Sequence, residues 1–372
     1  MFVVITGAGG FIGKNLVCQL EALDGVEIFQ CSRDATEKSL ADNIAKADYI
    51  IHLAGVNRPD DDKEFDEVNA GFTRKVCELA RQTGKTIPIF FSSSTQAGNG
   101  TAYGTSKLEA EAILRDYAHA TDSAVRIYRL PGVMGKWCRP NYNSVVATFC
   151  YNISHGLPVR VDDEEKVITL NYIDDLAEDI SSVISGISRL PNGCHFSEIE
   201  PLYEISLKSL VKTLEGFRDG RRNLHIDSVG TGLKRALYAT YISYLEEEDF
   251  SYPLKSHTDS RGRFVEFLKT VDSGQFSFLS AKPGVTRGKH YHHTKTEKFL
   301  VVQGEACFRF RQLLTNKYHE VTVSADNPVV VESIPGWAHD ITNTGSSELI
   351  VLLWSSEVFD KDSPDTTPKE IQ

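Results

Sequence analysis

The chain has 372 residues, 41% of them apolar, and a formal net charge of −11 from 40 basic and 51 acidic side chains. At about 100–200 residues per domain this length implies two domains, and the apolar fraction is enough to build cores, which excludes a disordered chain. A net negative surface repels phosphate backbones and anionic lipid, so nucleic-acid and membrane-surface binding are excluded as main roles, while a local basic cleft for an anionic small molecule is not.

Seven cysteines (Cys18, Cys31, Cys77, Cys138, Cys150, Cys194 and Cys307) are scattered, and none forms a C-x-x-C pair. That argues against a disulfide framework and a cysteine zinc site, and fits a reducing cytoplasm. The stretch Met1-Phe2-Val3-Val4-Ile5-Thr6-Gly7 has no basic region ahead of its apolar run. No run reaches the roughly 18 apolar residues of a membrane span, so a cytoplasmic protein is expected.

In chain order, the β-branched run 2–6 predicts a strand. A helix follows over 11–23, with Ile12, Leu16, Leu20 and Leu23 at helical spacing. Strands are expected at 27–31 and 48–53, then a helix over 64–83 that places Phe65, Val68, Phe72, Val76 and Leu79 on one face. A strand at 87–91, a helix over 103–120 and a strand at 125–130 complete the series. Strands alternating with helices imply an α/β fold, a doubly wound parallel sheet of Rossmann type.

Near residue 245 the texture changes. The acidic run Glu246-Glu247-Glu248-Asp249 is followed by short alternating strands at 264–267, 275–280, 298–302, 306–311, 319–323, 329–332 and 349–354. The expected organisation is therefore a dinucleotide-binding domain over 1–243, a linker over 244–250 and an all-β sandwich or barrel over 251–372. The tail after Asp360, rich in Asp, Ser, Pro and Thr, is expected to be loosely ordered.

Thr6-Gly7-Ala8-Gly9-Gly10-Phe11-Ile12-Gly13 joins the first strand to the first helix. Gly7 suits the tight turn, Gly10 the approach of backbone to a pyrophosphate at the helix N-terminus, and Gly13 close helix–strand packing. After the second strand comes Cys31-Ser32-Arg33-Asp34. No acid stands at the strand end for a ribose 2′-hydroxyl, and Ser32 with Arg33 suits a 2′-phosphate, which favours NADP; Asp34 leaves NAD open. Tyr103 and Lys107 share a helix face, and Ser92-Ser93-Ser94 closes a strand at its C-terminal end, where open parallel sheets keep their sites.

With His52-Leu53-Ala54-Gly55, these residues resemble the extended short-chain dehydrogenase/reductase family, which acts mostly on nucleotide sugars. The resemblance implies that Tyr103 donates a proton to a carbonyl oxygen and that Lys107 holds the nicotinamide ribose and lowers the tyrosine pKa. It implies that Ser94, or alternatively Thr95, polarises the carbonyl. The cofactor would lie along Gly7, Gly10, Phe11, Ile12, Gly13, Arg33, Leu53 and Ala54, reaching Tyr103 and Lys107. Asn69 resembles a helix asparagine near the site, and Arg129-Leu-Pro-Gly-Val-Met-Gly135 a fifth-strand motif with Gly132 where the family often has Asn. Dehydratases of the family carry an acidic pair after the catalytic hydroxyl residue; here Gln96 and Ala97 follow Thr95, which favours ketone reduction over dehydration.

In the C-terminal region His290 and His292 are two apart, so on a strand they share a face; Glu297 follows on the next strand, and Pro335-Gly336-Trp337-Ala338-His339 comes later. Three imidazoles and a carboxylate suit zinc, iron, manganese or nickel, with zinc foremost. Gly284, His290, His292, Glu297 and Gly304 resemble the first motif of the cupin double-stranded β-helix, which implies an all-β cupin barrel. Asp259-Ser-Arg261 and Thr286-Arg287-Gly-Lys-His290 also resemble the deoxysugar 3,5-epimerase branch, where the histidine in that place is a base. His290 therefore has two competing roles.

The pairing resembles, over the full length, bifunctional capsular polysaccharide enzymes. This implies a UDP-linked 4-keto amino sugar as substrate, epimerised at C3 in the cupin and reduced at C4 by the other domain. Epimerisation must come first, since reduction removes the ketone that makes the C3 proton labile. Arg139, Lys136 and Arg160 are candidates to line a site for the sugar diphosphate, and a homodimer or larger homo-oligomer is expected.

Overall fold

The structure, a computed structural model, describes residues 1–59, 61–254, 256–259, 262–265, 268–270, 274–357 and 362–371, apart from the side chains of 256–259, 262–265, 269 and 275. It divides into two compact units: Met1–Val133 with Tyr142–Ser144 and Ile168–Glu204, and Met134–Asn141 with Val145–Val167 and Ile205–Gln372.

The first unit is built on six parallel strands in the order Glu27–Cys31, Phe2–Thr6, Tyr49–His52, Ile89–Ser94, Ala124–Leu130, Gly193–Ser197. The inner strands are apolar on both faces because helices cover both. Val4, Ile50, Ile89, Phe91, Val125 and Ile127 form one core with residues of the helices Glu37–Ile44, Phe72–Gln82 and Ala102–Thr121. The alternate residues Val3, Ile5, Ile51 and Phe90 are equally buried and, by the two-residue period of a strand, face the other way. The helices Phe11–Leu20 and Ile173–Ile184 pack on each other. Strand order reverses between Phe2–Thr6 and its neighbours, and the C-terminal ends of the strands there open the crevice typical of dinucleotide sites.

Most elements of this unit fall where the pattern places them. The helix expected over 64–83 opens instead with a π-helical stretch, Phe65–Gly71, before the α-helix Phe72–Gln82. Glu37–Ile44 carries only Leu40 and Ile44 as buried residues, too few to show a period; its start is set by the Thr36 side chain, which accepts from Ser39 N–H.

The second unit combines the helices Val145–Ser154, Leu207–Asn223 and Gly232–Ile242 with two five-stranded antiparallel sheets. One sheet runs Ser251–Pro253, Val329–Ser333, Glu297–Gln303, Leu349–Ser355, Gln275–Ala281, and the other Tyr318–Ser324, Glu305–Gln312, Trp337–Asn343, Thr286–Tyr291, Thr367–Pro368. The segment 244–250, expected as a linker, is packed into this unit. Phe250 is fully buried and meets Phe310 and Trp337 edge to face, while Glu246 pairs with His155 and Glu247 with Lys317.

The tail expected to be loose is ordered over 362–371: Thr367 pairs with Tyr291, Pro368 with His290, and Ile371 is buried. Its polar composition is absorbed by hydrogen bonds. The strand expected at 264–267 is observed at Gly262–Val265; residues 266, 267 and Arg261 lie outside the described residues. No helix among the described residues is long and apolar enough to cross a membrane.

Candidate active sites

The glycine-rich turn of the first unit leaves no room for a side chain at Gly7 or Gly13. Gly7 has φ +71°, and a Cβ there would lie 2.7 Å from the backbone nitrogen of Ala54. At Gly13 a Cβ would meet the Gly7 carbonyl oxygen at 2.4 Å and Ala8 Cα at 2.6 Å. These contacts are backbone on backbone and cannot relax by a rotamer change. Gly13→Ala is therefore expected to destabilise the fold by about 1–3 kcal/mol, measurable by denaturant unfolding. Gly10 stands at the N-cap of Phe11–Leu20 with no side-chain cap, so the first helical N–H groups face the turn. Leu53 and Ala54 lie against this turn, Phe11 and Ile12 are half-buried, and Arg33 is exposed beyond the second strand.

Ser94 is buried at the C-terminal end of its strand and accepts from Gln96 N–H, whereas Thr95 is exposed. Tyr103, in the first turn of Ala102–Thr121, sits near Ser94. Burial raises its phenol above the ordinary value, and a hydrogen bond with Ser94 works against that rise. Lys107 is buried; its ammonium donates to the Ser92 carbonyl at 2.9 Å and lies 6.0 Å from the Tyr103 ring centre. Burial pushes Lys107 down to about 8, with Glu111 opposing. The Tyr103 phenol is therefore shifted upward by burial, opposite to the lowering by lysine that the resemblance implies.

Asn69 lies in the π-helical stretch. Its Nδ2 donates to Val56 O and Ser106 Oγ, both at 3.0 Å, and its Oδ1 accepts from Val56 N–H. A Cβ on Gly55 would approach Asn69 Oδ1 at 2.9 Å and Lys107 Nζ at 3.4 Å, so these three residues converge. Two buried polar clusters supporting this site were not foreseen. His52 bonds Thr6 Oγ1 at 2.7 Å and Thr73 Oγ1 at 2.8 Å, and burial, then Lys107, pushes it down to about 3. Glu111 accepts from Ser93 Oγ at 2.5 Å and from Arg129 at 2.9 and 2.6 Å, tying the helix to two strands. The spacing of Glu111 from Lys107, one turn, was the available signal. Of the cations considered for a diphosphate, Lys136 is buried beside Trp137, Arg139 is exposed, and Arg160 is exposed and paired with Asp162.

In the second unit His290, His292, Glu297 and His339 bring one ligand atom each within 4.8 Å of one another. His339 comes from the strand Trp337–Asn343, paired across to His290, and Glu297 opens a strand of the other sheet. His292 lies just past the strand that holds His290. A bulge between Gly288 (φ +95°) and His290, with Lys289 at φ +63°, sets the aim of His290.

His292 Nδ1 lies 2.5 Å from the carbonyl oxygen of Asp365, which can only accept, so the proton is on Nδ1. Nε2 then presents a lone pair 3.1 Å from Glu297 Oε2. Two acceptors so placed require a proton or a cation between them. His339 Nε2 lies 3.4 Å from the same oxygen, and among the described residues neither ring nitrogen of this buried residue makes a hydrogen bond of good geometry. Burial alone would raise Glu297, but His292 and His339 hold it well below the usual carboxylate range. Burial, then His339 and His292, pushes His290 down to about 4. Three imidazoles and a carboxylate converging in one buried place are a donor set that fits a divalent metal.

The pattern of the NAD dependent epimerase/dehydratase family matches residues 3–197, and that of the polysaccharide biosynthesis C-terminal domain matches 257–367. A Pseudomonas aeruginosa protein named UDP-2-acetamido-2,6-beta-L-arabino-hexul-4-ose reductase is 47% identical over 366 residues, 98% of each chain. The crystal structure of CapF, a capsular polysaccharide assembling protein from Staphylococcus aureus, aligns over all of both chains with 42% identity and a TM-score of 0.68. CapF with the inhibitor 3-isopropenyl-tropolone aligns at 38% identity with a TM-score of 0.63. Two domain patterns in one chain, and full-length likeness to these proteins, lead to one conclusion: the chain belongs to the NAD dependent epimerase/dehydratase family, in a form that carries a polysaccharide biosynthesis C-terminal domain.

Proposed function

We propose that the chain is a bifunctional nucleotide-sugar enzyme of capsule or O-antigen synthesis. Residues 251–372 would act as a metal-binding cupin that epimerises C3 of a UDP-2-acetamido-2,6-dideoxy-4-keto-hexose. Residues 1–243 would then reduce the C4 ketone to the L-talose sugar nucleotide. What carries this reading is that one chain holds two separate sets of reactive groups, Ser94/Tyr103/Lys107 and His290/His292/Glu297/His339, each with its own buried support.

In the reductase a reduced nicotinamide, when bound, supplies the hydride. Gly7, Gly10 and Gly13 would let backbone approach its pyrophosphate, and Lys107 would hold the ribose. Ser94 and Tyr103 would bind the ketone oxygen, and the Tyr103 hydroxyl would give it the proton that balances hydride addition. In the cupin a divalent ion, zinc foremost, would supply Lewis acidity toward the ketone oxygen. His290, His292, Glu297 and His339 would hold it. The inhibitor found with CapF is a tropolone, a class with two adjacent oxygens suited to chelation, which is in keeping with a metal.

Incubating the 4-keto sugar in D₂O without nicotinamide tests the two-activity reading, since deuterium at C3 reports proton removal independently of reduction. The P. aeruginosa relative is named as a reductase alone, which favours the rival reading of a noncatalytic C-terminal domain. No label at C3, with C4 reduction intact, would establish that rival. NADPH is the proposed reductant because Arg33 follows the second strand without an acid at its end. Arg33→Ala is expected to weaken NADPH binding much more than NADH binding; equal weakening in titrations of both would remove that assignment.

A further inference from the structure

We infer that the C-terminal segment 365–371 is a strap that sets the tautomer and aim of His292, and through it the affinity of the four-residue cluster for a divalent cation. The inference rests on the metal reading proposed above. Among the described residues, Asp365 makes two distinct kinds of contact. Its backbone carbonyl accepts a hydrogen bond from His292 Nδ1–H at 2.5 Å, which leaves Nε2 as the nitrogen that faces Glu297. Its carboxylate accepts from the successive N–H groups of His293, Thr294 and Lys295 at 2.8, 2.7 and 2.7 Å, and from Thr294 Oγ1 at 3.1 Å. One side chain thus holds His293, Thr294 and Lys295, three of the four residues between the proposed ligands His292 and Glu297. Three converging backbone N–H groups form an anion-holding nest, here filled from within the chain.

The strap is itself fastened at several points. Thr367 and Pro368 pair with Tyr291 and His290, and Lys369 N–H donates to Lys289 O at 2.8 Å. Lys295 Nζ donates to Thr366 Oγ1 at 3.0 Å and lies 3.7 Å from Glu297 Oε1. Ile371 is buried against Tyr291 and Ala338, the latter adjacent to His339, and its carbonyl accepts from Arg311 at 2.9 Å. The strap therefore touches His290 and His292 and flanks His339. Groups that orient ligating histidines through their second nitrogen commonly change metal affinity by about 10–100-fold when removed. Asp365 and Ile371 are positioning residues in this sense, since neither side chain belongs to the cluster.

The test uses the full chain, stripped with a chelator and titrated with Zn²⁺ against a competing chromophoric chelator. Asp365→Ala is expected to weaken Zn²⁺ binding by about 10–100-fold and to speed its release. Asp365→Asn, which keeps one acceptor oxygen, should fall between; it serves as well where the alanine variant folds poorly. Ile371→Asp should act in the same direction by lifting the strap, and the imidazole ¹⁵N spectrum of the apo protein should show His292 losing its fixed Nδ1–H tautomer. Reduction of an already epimerised ketone should be unchanged throughout. A tail of merely structural value would lower the unfolding temperature and leave the tautomer and Zn²⁺ affinity alone, and that result overturns the inference. Wild-type protein that takes up no Zn²⁺ overturns the metal reading and the strap together. Because that outcome is read on the wild type alone, the two failures are distinguishable.

Discussion

Tyr103→Phe is expected to lower NADPH-dependent reduction of the 4-keto sugar by about 10²–10⁴, the usual scale of general acid catalysis. The substitution keeps the ring that packs against Phe65 and deletes only the hydroxyl. Without that hydroxyl, hydride addition at C4 would build an alkoxide with no matched proton source. Burial keeps the phenol protonated at neutral pH, the form needed to give up a proton, and the Ser94 hydroxyl beside it keeps it oriented. NADPH affinity should change little, because Lys107 stays anchored to the Ser92 carbonyl. Single-turnover reduction followed by nicotinamide absorbance, with a parallel cofactor titration, measures both quantities. Near wild-type reduction would remove Tyr103 from the acid role.

Glu297→Gln should lower C3 deuterium exchange by about 10³ or more, while reduction of an already epimerised ketone continues. Glu297 supplies the only anionic group in the four-residue cluster, and it faces two imidazoles at 3.1 and 3.4 Å. The amide has a similar shape, yet it neither attracts a dication nor completes the ligand set. Lewis-acid stabilisation of charge developing on the ketone oxygen amounts to several kcal/mol, which corresponds to a rate factor of that size. Isotope incorporation measured by mass spectrometry, beside elemental analysis of the same protein, separates loss of metal from loss of fold. If the ion only supports the fold, exchange should fall in step with thermal unfolding instead. A metal-free preparation with full exchange activity would return His290 to the role of base.

What could be read from the sequence was local. Gly7, Gly10 and Gly13 act within one strand–turn–helix, Tyr103 and Lys107 lie one helical turn apart, and His290, His292 and Glu297 fall within eight residues. Period and spacing report such relations directly, because backbone geometry converts sequence distance into spatial distance over a few residues. The alternation of strands and helices in the first unit was legible for the same reason. Tertiary structure decided the rest. The partners of His52 lie 46 and 21 residues away, those of Glu111 18 away, and the carbonyl that orients His292 comes from 73 residues further on. The polar tail carried no strand signal, yet 362–371 is docked, since its carboxylate and carbonyls find donors that only the folded sheet presents. The segment 244–250 read as a linker from its charges; Glu246, Glu248 and Asp249 are indeed exposed, but Phe250 is fully buried and anchors its end. A polar residue's environment depends on which distant groups meet it, and no periodicity of its own neighbours encodes that meeting.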